Sequence, residues 1–386
     1  MIEELNYDCQ LLIIAYLELK DQLALWEATA HIPSSRLNAT LIYSWQHKLS
    51  YVLDEEVLDQ FEENPKQSDG FLCAISGTVQ HLDLQFIKTY QLQKWIGHSF
   101  PCMRELCFTV NDSCQPVGSL VLQLLVELFP KLNAIKPWGT FYSEITEKWT
   151  QLQRLDLTEC CPPIEHISMC KFQQLEQITV HSGFLTHQFI DSLLALPNLR
   201  AICFHAEERI DEVLNIIIDK RAEHIERLSF NDSIWFCTQE TLQRAKNVRQ
   251  LSLIEDDGFQ RSQLETLLSN LPLLKQLDLI NFQIWRSESE LWQAVGRCDS
   301  LQILNISGMQ LYNDFFEFSR RPMETVLGKR SNPLILYCND TGDCKERVAQ
   351  CFSHSNLLLK WEPLNNNSCI DYGYVKVEFA PLATIQ

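Results

Sequence analysis

The sequence predicts an α/β fold, a solenoid of parallel strands and helices that follows a small all-α module. Two observations predict the solenoid: a six-residue apolar motif recurs along most of the chain, and the stretches between its copies have helical spacing. A third observation predicts the module, because the first fifty residues lack the motif and keep helical spacing throughout. Hydrophobic residues make up 46% of the chain, which is enough to bury a large core.

The recurring motif is LxxLxL, with Leu, Ile, Val, Phe or Met at its apolar positions. Its copies begin at Val79, Met103, Leu132, Leu152, Leu175, Leu199, Ile225, Val248, Leu274 and Leu301. The intervals are 24, 29, 20, 23, 24, 26, 23, 26 and 27 residues, within the period of roughly 20 to 29 that is typical of leucine-rich repeats. Each copy predicts a short strand whose apolar side chains enter the core. The third copy, with Pro137 in its strand, is the weakest.

Helices are predicted between the strands. Apolar residues fall three and four apart in 119–129, 186–196, 211–220 and 262–271. One strand and one helix per repeat predict a horseshoe with parallel strands on the concave face and helices on the convex face. The asparagine that often follows the strand is mostly missing, so the repeats resemble the helical ribonuclease-inhibitor group of leucine-rich repeats.

The first fifty residues predict three short helices. Asn6 or Asp8 is expected to cap the first helix and Asp21 the second. Three such helices bury too little surface to fold alone, so they must pack on a partner, on the solenoid, or on both. The predicted organisation is a three-helix module at 1–50, an acidic linker at 51–70, about ten repeats at 71–320, and a degenerate repeat with a C-terminal cap at 321–386. The final tail is expected to cross back toward the concave side.

The N-terminal module resembles an F-box, whose common form reads LPxExLxxILxYLxxxDLxxL. The matching residues are Leu5, Ile13, Ile14, Tyr16, Leu17, Asp21 and Leu23. Asn6 and Asp8 stand where that family usually has proline and glutamate. An F-box ahead of leucine-rich repeats is similar to the F-box/leucine-rich-repeat substrate receptors of SCF-type cullin-RING ubiquitin ligases.

The resemblance implies that the module binds the Skp adaptor of a cullin complex, while the repeats hold a protein substrate for ubiquitination and proteasomal degradation. The implied adaptor-binding residues are Leu5, Leu12, Ile13, Tyr16, Leu17, Asp21 and Leu23. The alternative is a leucine-rich-repeat scaffold or inhibitor with no ligase role, in which the N-terminal helices only cap the first repeat.

The expected substrate surface is the concave wall. Strand side chains alternate, so the third, fifth and seventh positions of each motif project from that wall. The candidate substrate-binding residues are Asp83, Trp138, Arg154, Asp156, His181, His205, Arg227, Asn231, Asp278 and Asn305. Small polar residues at several fifth positions predict an open floor. Acidic residues near the strand ends favour a basic substrate segment, and these are Glu159, Glu207, Glu208, Asp232, Glu255, Asp256 and Asp257.

No metal site, cofactor or enzymatic activity is predicted. His181 and His205 should lie about 5 Å apart on neighbouring strands, yet no third ligand flanks them. The sequence has no phosphate-binding glycine loop and no hydrolase or metalloprotease motif. A net charge of −18, from 32 basic and 50 acidic residues, argues against nucleic-acid binding. The absence of a long apolar stretch and of a signal peptide predicts a cytoplasmic or nuclear protein without membrane contact.

Overall fold

The computed structural model describes most of the chain, namely residues 2–32, 34–110, 119–140, 148–161, 169–181, 185–205, 210–234, 237–255, 260–316, 321–342, 345–364 and 371–381. The chain divides into two compact units, Met1–Leu175 and Glu176–Gln386. Within the described ranges, no helix combines the length and the apolar character that crossing a membrane requires.

Unit 1 begins with three helices and continues with strands that alternate with helices. Its helices are α1 (Tyr7–Tyr16), α2 (Leu19–Ala30), α3 (Arg36–His47), α4 (Glu55–Glu63), α5 (Pro65–Ile75), α6 (Thr89–Lys94) and α7 (Ser119–Leu128). Its strands are β1 (Ser50–Leu53), β2 (His81–Ile87), β3 (Glu105–Val110), β4 (Ala134–Thr140), β5 (Arg154–Leu157) and β6 (Cys160–Cys161).

Side-chain caps begin two of the three N-terminal helices, and the cap predicted for the second helix is not formed. The Asn6 side chain accepts a hydrogen bond from the Cys9 backbone N–H at 2.8 Å, so Asn6 caps α1. Ser35 caps α3 in the same way, at 3.0 Å from the Asn38 N–H. Asp21 does not cap α2, which begins two residues earlier, and lies instead in its first turn. There its negative charge still favours the positive end of the helix dipole.

The segment 51–70 is not the linker that the sequence predicted. Strand β1 adds to the sheet beside β2 with Ser50 opposite His81, and helices α4 and α5 follow directly. Val57, Leu58 and Phe61 share one face of α4 and are buried. The first repeat therefore starts at about residue 50, because these apolar residues at helical spacing outweigh the acidic composition around them.

The sheet of unit 1 is parallel, and the leucine-rich-repeat fold is confirmed. In β2, the leucines at 82 and 84 are buried while His81, Asp83 and Gln85 lie on the opposite side. β3 pairs with β4 from Glu105 opposite Ala134 to Thr109 opposite Trp138. β4 pairs with β5 only at Ala134 and Ile135. The short pairing coincides with Pro137, which has no N–H to donate to a ladder.

Unit 2 repeats the same alternation. Its strands are β7 (Gln177–His181), β8 (Ala201–His205), β9 (Ile225–Asn231), β10 (Gln250–Ile254), β11 (Gln276–Ile280), β12 (Ile303–Asn305), β13 (Leu334–Tyr337), β14 (Leu357–Lys360) and β15 (Tyr374–Phe379). Its helices are α8 (His187–Leu194), α9 (Ile210–Arg221), α10 (Gln239–Arg244), α11 (Arg261–Asn270), α12 (Glu288–Val295), α13 (Arg321–Leu327) and α14 (Lys345–Cys351). Helices α7, α8, α9 and α11 lie where the apolar spacing predicted them.

Strand β15 interrupts the parallel order of unit 2. It lies between β8 and β9 and runs antiparallel to both, with Val375 opposite Phe204 on one side and Phe230 on the other. Val375, Val377 and Phe379 are buried in the core. The tail was expected to cross toward the concave side; instead, this part of it is a strand of the sheet itself.

Turns with left-handed backbone follow three consecutive strands of unit 2. Asp232, Glu255 and Asn281 have φ values of 47°, 51° and 54°. Each donates its N–H to a carbonyl of the next repeat, at 2.9, 3.0 and 2.9 Å respectively. Asp and Asn tolerate this conformation better than most residues. The three turns thus form a regular series of backbone hydrogen bonds between repeats, although only one of the three residues is the usual asparagine.

Candidate protein-interaction surfaces

The first candidate surface is apolar and lies on α1. Leu12 and Tyr16 are one helical turn apart and are 61% and 89% exposed. Ile13 and Leu17 form the adjacent row and are half-buried, and Leu5 precedes the helix and is 38% exposed. We call these five side chains the N-terminal apolar face. Four of the seven implied adaptor-binding residues therefore lie on neighbouring rows of α1 or at its end, and Leu5 precedes the helix.

Two buried glutamines hold α1 in place. The Gln10 amide donates to the carbonyl of Ile2 at 3.0 Å and accepts from the Thr40 hydroxyl at 2.8 Å. The Gln22 amide donates to the carbonyls of Ile14 and Leu17 at 3.0 and 2.9 Å. It also accepts from the Trp45 indole N–H at 2.8 Å. Because buried polar groups are costly unless paired, these bonds fix the relative positions of the three helices.

The other two implied adaptor-binding residues stand apart from the face. Asp21 is exposed on α2. Leu23 has no exposed surface, so its expected place at an adaptor interface is corrected: it belongs to the core of the module. Its position in the second helix puts it on the side that packs inward, which the F-box pattern alone does not distinguish.

The N-terminal helices also join the first repeat. Helices α2 and α3 pack on α5, and the Trp45 ring lies 5.2 Å from that of Phe71 in an edge-to-face arrangement. Phe71 makes a second such contact with Tyr51, also at 5.2 Å. Gly70 lies so close to Trp26 that a Cβ there would come within 2.5 Å of the indole. Module and first repeat therefore share one aromatic core.

The second candidate surface is the strand face of unit 1 that points away from the core. We call it the unit 1 strand face, and it comprises His81, Asp83, Gln85, Glu105, Cys107, Thr109, Lys136, Trp138, Arg154 and Asp156. Trp138 is 45% exposed and Arg154 is exposed as well. Asp83 and Asp156 are half-buried. Four of the predicted substrate-binding residues thus lie on this face, with a large aromatic ring open to solvent.

Charges on the unit 1 strand face are largely paired. Glu105 accepts from Arg154 at 3.0 Å and lies 3.2 Å from His81. Lys136 lies 3.4 Å from Asp156. Burial lowers the pKa of Lys136, but Asp156, with smaller effects from Cys107 and Glu159, more than offsets this, and the net pKa is raised. Burial and then Asp83 raise the pKa of Cys107 to about 11, so this thiol stays protonated at neutral pH.

The corresponding strand face of unit 2 is mostly closed. Asn231, Asp278 and Asn305 are buried, with exposed fractions of 7%, 0% and 2%. The Asp278 carboxylate accepts from the Ser252 hydroxyl at 2.8 Å and from the Gln276 amide at 3.0 Å. The expectation of an open floor with these three residues available to a substrate is therefore corrected. Small polar side chains at the fifth positions pack together instead of leaving space.

Arg227 forms an ion pair with the inserted strand β15. Its guanidinium donates to Glu378 of β15 at 3.2 Å, and Lys376 of the same strand lies 2.8 Å from Glu378. All three residues are at least partly buried. Arg227 was expected to face a substrate and instead forms an ion pair within the chain.

His181 and His205 lie where the repeat predicted them. They are opposite each other on β7 and β8, and their rings stack with centroids 5.3 Å apart. Tyr374 of β15 packs edge-on against His205 at 5.1 Å. The pair is thus part of an aromatic stack that the sequence did not predict, because Tyr374 is distant along the chain.

The predicted acidic cluster at the strand ends is described only in part. Glu159 lies in unit 1, and Asp232 and Glu255 lie in unit 2. Glu207, Glu208, Asp256 and Asp257 lie outside the described residues. The Glu255 carboxylate accepts from the Asn281 amide at 2.9 Å, so it has a structural role in the series of turns that follows the strands.

Strand and helix alternation in both units defines a leucine-rich-repeat protein. Solved structures resemble the chain at low identity. A chain of the Rad7 and Elc1 complex in yeast is 13% identical and covers 92% of this chain and 93% of its own length, with a TM-score of 0.40. A leucine-rich-repeat protein of Leptospira interrogans is 13% identical over 90% and 99% of the two chains, with a TM-score of 0.33.

An internalin from Listeria monocytogenes is 10% identical and covers 89% of this chain and 95% of its own, with a TM-score of 0.32. No protein-family model matches the sequence. No curated protein matches it either. The leucine-rich-repeat fold and the two candidate surfaces are therefore identified from the strands and side chains of this chain, and not from its similarity to other proteins.

Proposed function

We propose that the protein is the substrate-recognition subunit of an SCF-type ubiquitin ligase, which binds the Skp adaptor of a cullin complex through the N-terminal apolar face. The observation that carries the proposal is the exposure of Leu12 and Tyr16 on a helix ahead of leucine-rich repeats. Exposed apolar patches of this kind are typical of binding sites for other proteins. The protein acts by binding and positioning, in the cytoplasm or the nucleus, and has no catalytic step of its own.

The energetics of the N-terminal apolar face suit a protein partner. Full burial of a side chain such as Leu12 contributes roughly 1.5 to 3 kcal/mol. Since α1 is already held by the Gln10 and Gln22 hydrogen bonds, little ordering is required on binding. A rigid apolar helix face loses less conformational entropy on association than a flexible segment does.

The unit 1 strand face is the proposed substrate surface. Trp138 offers a large exposed apolar ring on the same face as the paired charges, and tryptophan and arginine are the residues that most often dominate binding energy at interfaces. The paired charges around it favour a polar partner segment with charges of both signs, including basic side chains opposite Asp83. Binding there leaves the apolar face on α1 available for the adaptor.

The second candidate function is a leucine-rich-repeat scaffold or inhibitor in which the N-terminal helices only close the first repeat. The contact of Trp45 with Phe71 favours it, because a cap must bury the apolar end of a solenoid. A cap does not require Tyr16 to be almost fully exposed, however. The ligase proposal accounts for both faces of the module.

The test uses surface substitutions instead of a deletion, since removing residues 1–50 would expose Phe71 and Tyr51. The double variant Leu12→Asp with Tyr16→Asp should lose capture of purified Skp adaptor at least 100-fold while keeping its circular dichroism spectrum. The matched control is Leu120→Asp on α7, where an equally apolar side chain is 47% exposed. That control should bind the adaptor as the unaltered chain does.

Two results would contradict the proposal. If the unaltered, folded chain does not capture the adaptor and its cullin, the scaffold function is preferred. If the double variant captures the adaptor as well as the Leu120→Asp control does, binding uses another surface, and the N-terminal apolar face is not the docking site.

A further inference from the structure

A cluster of three metal-ligand side chains lies in unit 1 and shares no residue with either candidate interaction surface. Asp69 and Cys73 are one turn apart on α5, so they share a face of that helix. His98 comes from the turn after α6. The carboxylate, the thiol and an imidazole nitrogen lie within 4.8 Å of one another. Among the residues that the structure describes, these are the Asp, Cys and His side chains whose ligand atoms lie close enough together to share one ion.

The backbone around His98 aims its ring at α5. Gly97 has a φ of 112°, a conformation that favours glycine, and the His98 N–H donates to the Trp95 carbonyl at 3.0 Å. Gly97 lets the chain reverse direction after α6. The His98 side chain is consequently only 13% exposed. The ring is therefore built into the turn and does not lie loosely on the surface.

The imidazole is held in the orientation that a metal ligand needs. Its Nε2 lies 3.1 Å from the Asp69 carboxylate, which leaves Nδ1 facing the Cys73 sulfur at 3.9 Å. A histidine ligand commonly donates its second ring N–H to a carboxylate, which fixes the tautomer and turns the other nitrogen's lone pair toward the ion. Asp69 occupies that position.

The separation of sulfur and nitrogen fits an ion between them. Zn²⁺ binds thiolate at about 2.3 Å and imidazole at about 2.0 Å, so tetrahedral geometry places the two ligand atoms about 3.5 Å apart. The observed 3.9 Å requires a shift of only a few tenths of an ångström. A direct thiol–imidazole hydrogen bond at this distance would be weak.

We propose that Cys73 and His98, supported by Asp69, form a binding site for a divalent transition metal of the zinc type. Cys73 binds as the thiolate and His98 through Nδ1, and the Asp69 carboxylate accepts from the Nε2–H and orients the ring. Water or a side chain of a partner completes the coordination. Binding displaces the thiol proton to solvent, so the affinity rises with pH until the thiol is ionised.

The site would join α5 to the turn after α6. Because α5 also carries Phe71, which packs on Trp45 and Tyr51, a bound ion would brace the same helix that connects the N-terminal module to the repeats. Metal binding to the folded chain alone raises its melting temperature in a concentration-dependent way. The proposal thus concerns a stabilising site that the adaptor and substrate surfaces do not include.

The experiment is a Co²⁺ titration of the full, reduced, metal-free chain, followed by competition with Zn²⁺. We expect a thiolate-to-cobalt charge-transfer absorption that saturates at a single equivalent and is abolished by Zn²⁺. Cys73→Ser and His98→Gln should each weaken Zn²⁺ affinity at least 100-fold. Asp69→Asn should weaken it about 10- to 100-fold, as expected for a carboxylate that orients a ligand.

The matched control is Cys9→Ser. Cys9 is also an exposed thiol on a helix of unit 1, but it is not part of the Asp69, Cys73 and His98 cluster. This variant should bind Co²⁺ and Zn²⁺ as the unaltered chain does. Cys73→Ser is the most informative variant, because its side chain is exposed and the substitution should not disturb folding, which circular dichroism checks.

Three results would overturn the proposal. In the first, the unaltered chain develops no charge-transfer absorption. In the second, Cys73→Ser and His98→Gln bind Zn²⁺ as tightly as the control. In the third, no metal binds, but Cys73 is alkylated faster than Cys9 and this rate depends on His98. The cluster would then be a reactive thiol with a basic neighbour and not a metal site.

Discussion

The strand faces of the two units differ although they come from the same repeat. At the fifth motif position, unit 1 has the half-buried residues Asp83, Cys107, Lys136 and Asp156. At that position in unit 2, the buried residues are Cys203, Ser229, Ser252, Asp278 and Asn305. Asp and Cys stand at this position in both units, so residue type alone does not account for the difference. Asp278 is enclosed with Ser252 and Gln276, whereas Asp83 keeps contact with solvent. The repeat therefore determines which way a side chain points, and its neighbours determine whether a partner can reach it.

Strand β15 accounts for part of the difference. It brings Lys376 and Glu378 onto the strand face of unit 2, where Arg227 pairs with Glu378. It also separates β8 from β9, which would otherwise be neighbours. Unit 2 thus uses its polar side chains internally, whereas the paired charges of unit 1 remain accessible.

The largest expected effect comes from Val377→Asp, which tests whether β15 is integral to unit 2. Val377 has no exposed surface and lies opposite Ile202 and Leu228. A buried, unpaired carboxylate there should lower the free energy of unfolding by about 4 kcal/mol or more. Denaturant unfolding measures the loss, and hydrogen exchange should show reduced protection in β8 and β9 while β2 and β3 keep theirs.

The control for this variant is Val52→Asp in unit 1, since Val52 is 54% exposed. Its cost should be about 1 kcal/mol or less, because the new carboxylate is solvated although it lies opposite Asp83. Equal stability of the two variants would mean that β15 does not occupy its place between β8 and β9 in solution.

A smaller effect is expected from Asp278→Ala, which tests whether the unit 2 face is closed. The substitution leaves the Ser252 hydroxyl and the Gln276 amide without their acceptor in a buried place. The free energy of unfolding should fall by about 2 to 3 kcal/mol. Asp83→Ala at the same repeat position of unit 1 should cost about 1 kcal/mol or less, because Asp83 is half-buried and water can replace it. A reversed order of the two costs, measured by chemical denaturation, would contradict the comparison.

The pH dependence of stability should report the buried and half-buried thiols, which include Cys107 in unit 1 and Cys338 in unit 2. Burial raises the pKa of Cys338 in unit 2 to about 12. The thiol ionises near pH 8.5 in the unfolded chain but stays protonated in the folded one, so the unfolded state binds fewer protons and stability falls as pH rises above about 8.5. The loss is about 1.4 kcal/mol per pH unit, or about 2 kcal/mol between pH 9 and pH 10.5.

Cys338→Ala should remove this contribution to the alkaline loss and leave that of the other thiols, which unfolding curves at the two pH values will show. Cys9→Ala, at an exposed thiol, should leave the loss unchanged. An identical alkaline slope in both variants would mean that Cys338 is not buried as a neutral thiol.

The smallest effect on stability is expected for Trp138→Ala. Because the ring is 45% exposed on the open face of unit 1, its removal should change the free energy of unfolding by about 0.5 kcal/mol or less. Calorimetric melting tests this, and a loss of about 2 kcal/mol would show that the ring is part of the core. The same variant should reduce ubiquitin-dependent turnover of substrates while adaptor capture stays intact.

Local patterns predicted the repeats well and long-range pairing poorly. LxxLxL identified the strands, and Asn6, one of the two expected caps of the first helix, does cap α1, because both signals lie within a few residues. The sequence assigned 374–379 only to a C-terminal cap and a tail that crosses back, since Val375 pairs with Phe204 and Phe230 far back in the chain. The acidic composition of 51–70 concealed the apolar face of α4.

Closure of the unit 2 face and exposure of α1 were equally beyond local reasoning. Asp278 sits at a position that projects from the sheet, and only the structure shows Ser252 and Gln276 closing over it. Leu23 and Leu12 are both leucines that the F-box resemblance implied for adaptor binding, yet one is buried and the other exposed. Hydrophobicity alone does not separate a core residue from a docking residue.

Strand β15 is synthesised long after β8 and β9, the two strands that it separates. β9 ends at Asn231 and β15 begins at Tyr374, so a ribosome must add about 140 residues before β8 and β9 acquire the strand between them. At about 5 to 20 residues per second, this takes about 7 to 30 s. During that interval two unpaired strand edges and the apolar side chains of Phe204 and Phe230 are accessible to other nascent chains. Production of this protein should therefore depend on chaperone supply more strongly than for a repeat protein whose strands pair in order of synthesis.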